Sequence, residues 1–180
     1  MHEATDAKDL RYPIGKLQLP ASVSAEEAAA LIQHIANTPE KLREAIAGLS
    51  DEQLGEPYRP GGWTVRQVVH HLPDSHLNSY VRFKLAVTED TPTIKAYDEA
   101  TWAELPDARD GDIQPSLDLL EALHARWTGF LRKLTPDHLK RKFIHPEMGT
   151  LTVGQNIAIY AWHGRHHVAH IKALRERENF

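Results

Sequence analysis

The chain has 180 residues, no cysteine, and 21 Lys and Arg against 25 Asp and Glu, for a net charge of -4. That length suits one domain over residues 1–180 with its own core, and the missing thiols exclude disulfides, thiolate metal sites and a cysteine nucleophile. Interspersed charge argues against nucleic acid and anionic membranes as partners, and no apolar run approaches the ~20 residues of a membrane span.

The N-terminal stretch MHEATDAKDLRY is polar and lacks the build of a signal peptide, so a cytoplasmic location is expected. Ser24 and Glu27 form a capping box that opens the first helix, which should run to about Leu49 with a bend or break at Pro39. Thr64 and Gln67 open the second, to about Glu89, with Val65, Val68, Val69 and Leu72 as a buried stripe and Pro73 inside it. The stretch from Thr91 to Gln114 is long for a connection in a compact bundle and suggests a crossover, a lid or a site wall.

The third helix begins near Pro115 and continues through LDLLEALHARWTGFLRKL. In FIHPEMGTLTV, Pro146 and Gly149 flank a turn between two extended runs, a small β-hairpin and the last of the strand content. Thr152 and Gln155 open the fourth helix, which ends near Arg177. The fold expected is therefore all-α: a four-helix bundle with one long crossover and a hairpin before the last helix, an architecture that builds metal sites from facing helices.

The 12 histidines are the compositional anomaly, since imidazole is both the commonest metal ligand and the usual proton carrier near neutral pH. Four of them fall in AWHGRHHVAHIKAL, on the fourth helix. With His163 at zero on a helical wheel, Val153, Ile157, Tyr160, Val168, Ile171 and Leu174 mark the core side near ~80°. His167 then lies near ~40°, His170 about 20° beyond zero on the far side and His166 about 60° beyond, so the inward order is 167, 163, 170, 166.

His163 and His167 are one turn apart on one face, a spacing that lets two imidazoles converge on one ion. The residues between them are Gly164, Arg165 and His166, so the glutamate of an HExxH protease is absent. Gly164 points toward the core, which suggests close approach of another helix or a ligand. Two histidines hydrogen-bonded in a bundle core, with His166 and His170 solvated, would leave the same pattern. A third ligand would come from VVHHLPDSHLNSY, with His70, His71 and His76. The wheel favours His76, inside the apolar stripe, over His71 at its margin, but Pro73 makes the phase beyond it uncertain.

The segments DLRYPIGK, YRPGGWTVRQVVHHL, DSHLNSYVRFKLA, YDEATWAEL, LLEALHARW, FIHPE and YAWHGRHHVAHI, in this order, resemble the YfiT family of metal-dependent hydrolases within the DinB-like superfamily. The resemblance covers nearly the whole chain. It implies a four-helix bundle, one zinc or nickel ion per subunit, and a homodimer. It also implies the ligand set: the second histidine of VVHH and both histidines of HxxxH, which are His71, His163 and His167. The family tends to carry alanine where this chain has Pro73.

The hydrolase reading takes a small-molecule substrate and an activated water. Asp74, one turn after His71, could orient that imidazole or simply be solvated. The superfamily also contains transferases that use low-molecular-weight thiols such as bacillithiol and mycothiol, and Arg59, Arg66 or Arg82 could then hold the cosubstrate's carboxylates or serve as ordinary surface residues. A non-catalytic metal-binding stress protein is the third reading. Tyr97, Asp98, Glu99 and Trp102 could wall the site, with His145 and Glu147 at its rim. Trp63, Trp127, Trp162, His34, His124 and His138 are expected to pack without a functional role.

Overall fold

A computed structural model describes residues 9–180. Residues 1–8, which hold most of the polar N-terminal stretch, lie outside the described part. In chain order the elements are α1 (Ala25–Ile46), α2 (Asp51–Leu54), α3 (Val65–Thr88), α4 (Glu99–Ala103), α5 (Pro106–Asp110), α6 (Gln114–Leu131), α7 (Pro136–Lys140), β1 (Lys142–His145), β2 (Gly149–Thr152) and α8 (Val153–Glu178). The four long helices form the bundle, with α1 packed on α6 and α8, and α3 also packed on α6 and α8.

The capping chemistry sets where the helices begin. At α1, α3 and α8 the side chain of Ser24, Thr64 or Thr152 accepts the N3 amide, and the N3 side chain accepts the cap amide in return. Helix α1 ends earlier than expected, because Gly48 adopts a left-handed φ of 77° and Ser50 then caps the extra turn α2.

Pro39 does not break α1, which is continuous through it, and Pro73 is likewise accommodated within α3. A proline without an N–H leaves the carbonyl four residues earlier unpaired in the helix, which for Pro39 is that of Ile35. His124 Nδ1 occupies this carbonyl at 2.7 Å.

The long connection from 91 to 114 is ordered and carries α4 and α5, both packed against α3. Gln67 Nε2 donates to the Ala103 carbonyl at 2.8 Å, and Ile94 sits in the core, its amide donating to the Ile144 carbonyl at 3.0 Å. The hairpin pairs β1 and β2 antiparallel with Phe143 opposite Leu151, both buried.

The apolar core is split in two. One cluster gathers Ile35, Phe83, Trp127 and Ile157 toward the hairpin, and the other gathers Leu42, Leu72, Leu120 and Ile171. On each long helix the polar residues Thr38, His76, His124 and His163 fall between the two sets, so a histidine layer crosses the bundle. No helix among the described residues is long and apolar enough to cross a membrane.

Candidate metal centre

Helix α3 presents His71 and helix α8 presents His163 and His167 at the floor of a cavity of about 570 Å³. One ligand atom from each lies within 4.8 Å of the others. The Nε2 atoms of His71 and His163 are 3.3 Å apart. Zinc–nitrogen bonds of about 2.0–2.1 Å in a tetrahedron would hold two such atoms about 3.3 Å apart, so this edge already has the spacing of a bound ion.

Burial lowers the pKa of His71 to about 4, and it holds His163 and His167 well below the usual histidine value. All three are therefore neutral at pH 7, the form whose lone pair binds a metal. His167 Nδ1 is buried and has no hydrogen-bond partner among the described residues. The donor set, its spacing and the orphaned nitrogen together fit a single divalent metal ion.

His76, favoured by the wheel, is fully buried behind this group, with Nε2 3.0 Å from His163 Nδ1 and Nδ1 2.7 Å from His124 Nε2. His70 faces the other way, its Nδ1 2.8 Å from Ser116 Oγ. His166 and His170 are buried rather than solvated, covered both by a neighbour on α8 and by segments far away in sequence. Trp162 stacks on His166 at 4.1 Å, Tyr58 stacks on His170 at 4.0 Å, and His170 Nε2 donates to the Arg11 carbonyl at 3.1 Å.

Asp74 makes no hydrogen bond to His71; it is half-buried, and burial, with Asp107 nearby, raises its pKa to about 6. Arg59 and Arg82 line the cavity, whereas Arg66 lies outside it, bound to Asp51 and donating to the Gly111 carbonyl at 2.9 Å. Arg82 is 8% exposed; its Nη2 donates to the Lys95 carbonyl at 3.0 Å and its buried Nε has no partner among the described residues. Tyr97, Glu99, His145 and Glu147 do wall the cavity. Asp98 instead caps α4 through Thr101, and Trp102 packs on Tyr97 from outside.

The sequence model of the DinB superfamily matches residues 25–171. The chain belongs to the DinB superfamily. A protein of Bacillus mycoides named "Putative metal-dependent hydrolase" is 53% identical over 173 residues, which span 96% of this chain and 99% of that one. One from Oceanobacillus iheyensis, similarly named, is 49% identical over 170 residues, spanning 94% and 98%. YfiT from Bacillus subtilis, described as "a probable metal-dependent hydrolase with an unusual four-helix bundle topology", matches with a TM-score of 0.92 and 49% identity over 95% of this chain and 98% of its own.

In this DinB-superfamily bundle the residues expected to pack without a functional role take different places. Trp127 is buried in the core, but Trp63 and Trp162 line the cavity, and Trp63 sits 4.7 Å from the His71 ring. His138 caps α7, while His124 joins the buried histidine layer. Its position was readable, because His124 lies one turn after Leu120 and three residues before Trp127 on a buried stripe. Its partners were not, since they come from α1 and α3.

Proposed function

We propose that the chain is a hydrolase of small molecules that holds one zinc or nickel ion on His71, His163 and His167. The observation that carries this reading is the convergence of three neutral imidazoles on the floor of a cavity, with one pair of nitrogens at the 3.3 Å edge of a tetrahedral site. Three protein ligands leave a coordination position free, and an ion bound so supplies a water whose pKa falls from about 15.7 to about 7.

The chain's own groups provide the rest of the site. Trp63 packs against His71 and shields that side of the floor. Glu99 and Glu147 are exposed carboxylates on the wall of the same cavity.

Arg82 favours a second reading. A buried guanidinium on the cavity wall with no carboxylate partner among the described residues suits a substrate that brings its own anionic group. A low-molecular-weight thiol carrying carboxylates, bound as cosubstrate of an S-transferase, meets that description.

Elemental analysis of untagged protein tests the common part of both readings. About one zinc or nickel per chain is expected in the wild type, lost in His71→Ala and His167→Ala. No stoichiometric metal in the wild type would sink both. With metal established, hydrolysis of chromogenic esters and amides supports the hydrolase, and transfer to electrophiles that requires an added thiol supports the transferase.

A further inference from the structure

The buried histidine layer has a direction that the chemistry of its far end imposes. The Ile35 carbonyl can only accept, so His124 Nδ1, 2.7 Å away, carries the proton and donates. Burial keeps His124 neutral, which leaves its Nε2 as an acceptor for the proton on His76 Nδ1 at 2.7 Å. His76 is fully buried among the rings of His124, Trp127, Tyr160 and His163, where no carboxylate among the described residues would balance a second proton, so with its proton on Nδ1 its Nε2 accepts from His163 Nδ1 at 3.0 Å. His163 then has its lone pair on Nε2, the atom that faces His71 Nε2 at 3.3 Å.

We propose that His76 and His124 are positioning residues that lock His163 in the Nδ1–H tautomer and hold its Nε2 toward the metal. This rests on the reading of His163 as a ligand. The far end of the histidine layer suits this role, because Pro39 supplies no amide to the Ile35 carbonyl, and that carbonyl is left for His124. Because the layer terminates on a carbonyl, which has no proton to give and does not take one up, it orients the imidazole and does not conduct protons. A core that needed only volume at these positions would be filled by apolar side chains, without two rings whose every nitrogen must be matched. Groups that orient a metal-bound histidine typically change metal affinity by about 10–100-fold when removed.

The test combines tautomers with metal affinity. Long-range proton–nitrogen correlation spectra of uniformly 15N-labelled, metal-free wild type should show His163, His76 and His124 all protonated on Nδ1. Zinc affinity, measured by competition with a chromogenic chelator, should fall about 10–100-fold in His76→Phe and in His124→Leu. His124→Gln, whose carbonyl can still accept from His76, should recover much of the affinity lost in His124→Leu. Metal-free melting temperatures of the same variants separate loss of packing from loss of orientation, since a purely structural role lowers melting and leaves zinc affinity unchanged. An Nε2–H tautomer at His163 overturns the proposal, and it does so without any variant having to fold. Zinc affinity within twofold of wild type in His76→Phe also overturns it while leaving the metal site intact, whereas failure of the wild type to bind zinc overturns the ligand reading itself.

Discussion

Gly164 sits between His163 and His167 where α8 crosses α1, and replacing it with alanine should damage both stability and the site. A Cβ there would lie 2.5 Å from Thr38 Oγ1 and 2.8 Å from Thr38 Cγ2, against ordinary contacts of 3.4–4 Å, so about 1 Å of movement is needed. Thr38 cannot give way easily. It is 4% exposed, β-branched, and its hydroxyl donates to the His34 carbonyl at 3.1 Å. Overpacking of this kind costs about 1–3 kcal/mol, and the better helix propensity of alanine returns about 1 kcal/mol. The net loss expected in urea denaturation of metal-free protein is therefore about 1 kcal/mol. In a double-mutant cycle with Thr38→Ala, the clash should appear as a coupling energy of about 1–3 kcal/mol, and zinc affinity should drop in Gly164→Ala and return in the double variant. If Gly164→Ala instead stabilises the protein by about 1 kcal/mol with no coupling to Thr38, close helix approach as the reason for this glycine is refuted.

Acid should destabilise the metal-free protein. His124 has a folded pKa of about 4 against an ordinary 6.5, so its contribution is complete above pH 6.5 and is lost as pH falls toward 4. The loss is about 1.4 kcal/mol per pH unit, and denaturant midpoints measured from pH 8 to 4.5 should show a shallower fall in His124→Gln. A slope unchanged by that substitution would refute this assignment. Asp74 has the opposite sign: its pKa is raised to about 6, so its favourable contribution is present below pH 4 and lost as pH rises through 6. Asp74→Asn should stabilise the protein by roughly 1 kcal/mol at pH 8, after discounting for its partial exposure, and by little at pH 3.5. Zinc at 100 times its dissociation constant should add about 2.7 kcal/mol of stability to the wild type, read as a rise in melting temperature that chelation reverses and His71→Ala abolishes.

The helix starts were legible because capping is local: Ser24, Thr64 and Thr152 each find their partner three residues away. The pairing of His163 with His167 was legible for the same reason, as one helical turn brings their rings to 4.6 Å whatever surrounds them. The periodicity of α3 favoured His76 over His71, because it records burial alone and His76 is the deeper of the two. Both are buried, and only the neighbouring helices and the 91–114 connection decide that His71 lines the cavity while His76 lies behind it. The alternative in which His166 and His170 are solvated does not hold, since Trp162 on the same helix and Tyr58 and Arg11 from elsewhere in the chain cover them. Pro39 read as a breaker, yet the carbonyl it frees is matched by His124 from another helix.

The sequence by itself thus determined the helices, the hairpin and the inward-facing histidine pair, all products of interactions within one or two turns of chain. The third histidine, His71, came from the family resemblance and not from periodicity. Tertiary structure decided which arginines line the cavity and which way the buried imidazoles donate. Each of these depends on groups from separate helices or loops meeting in a space too dry to leave a polar atom unmatched.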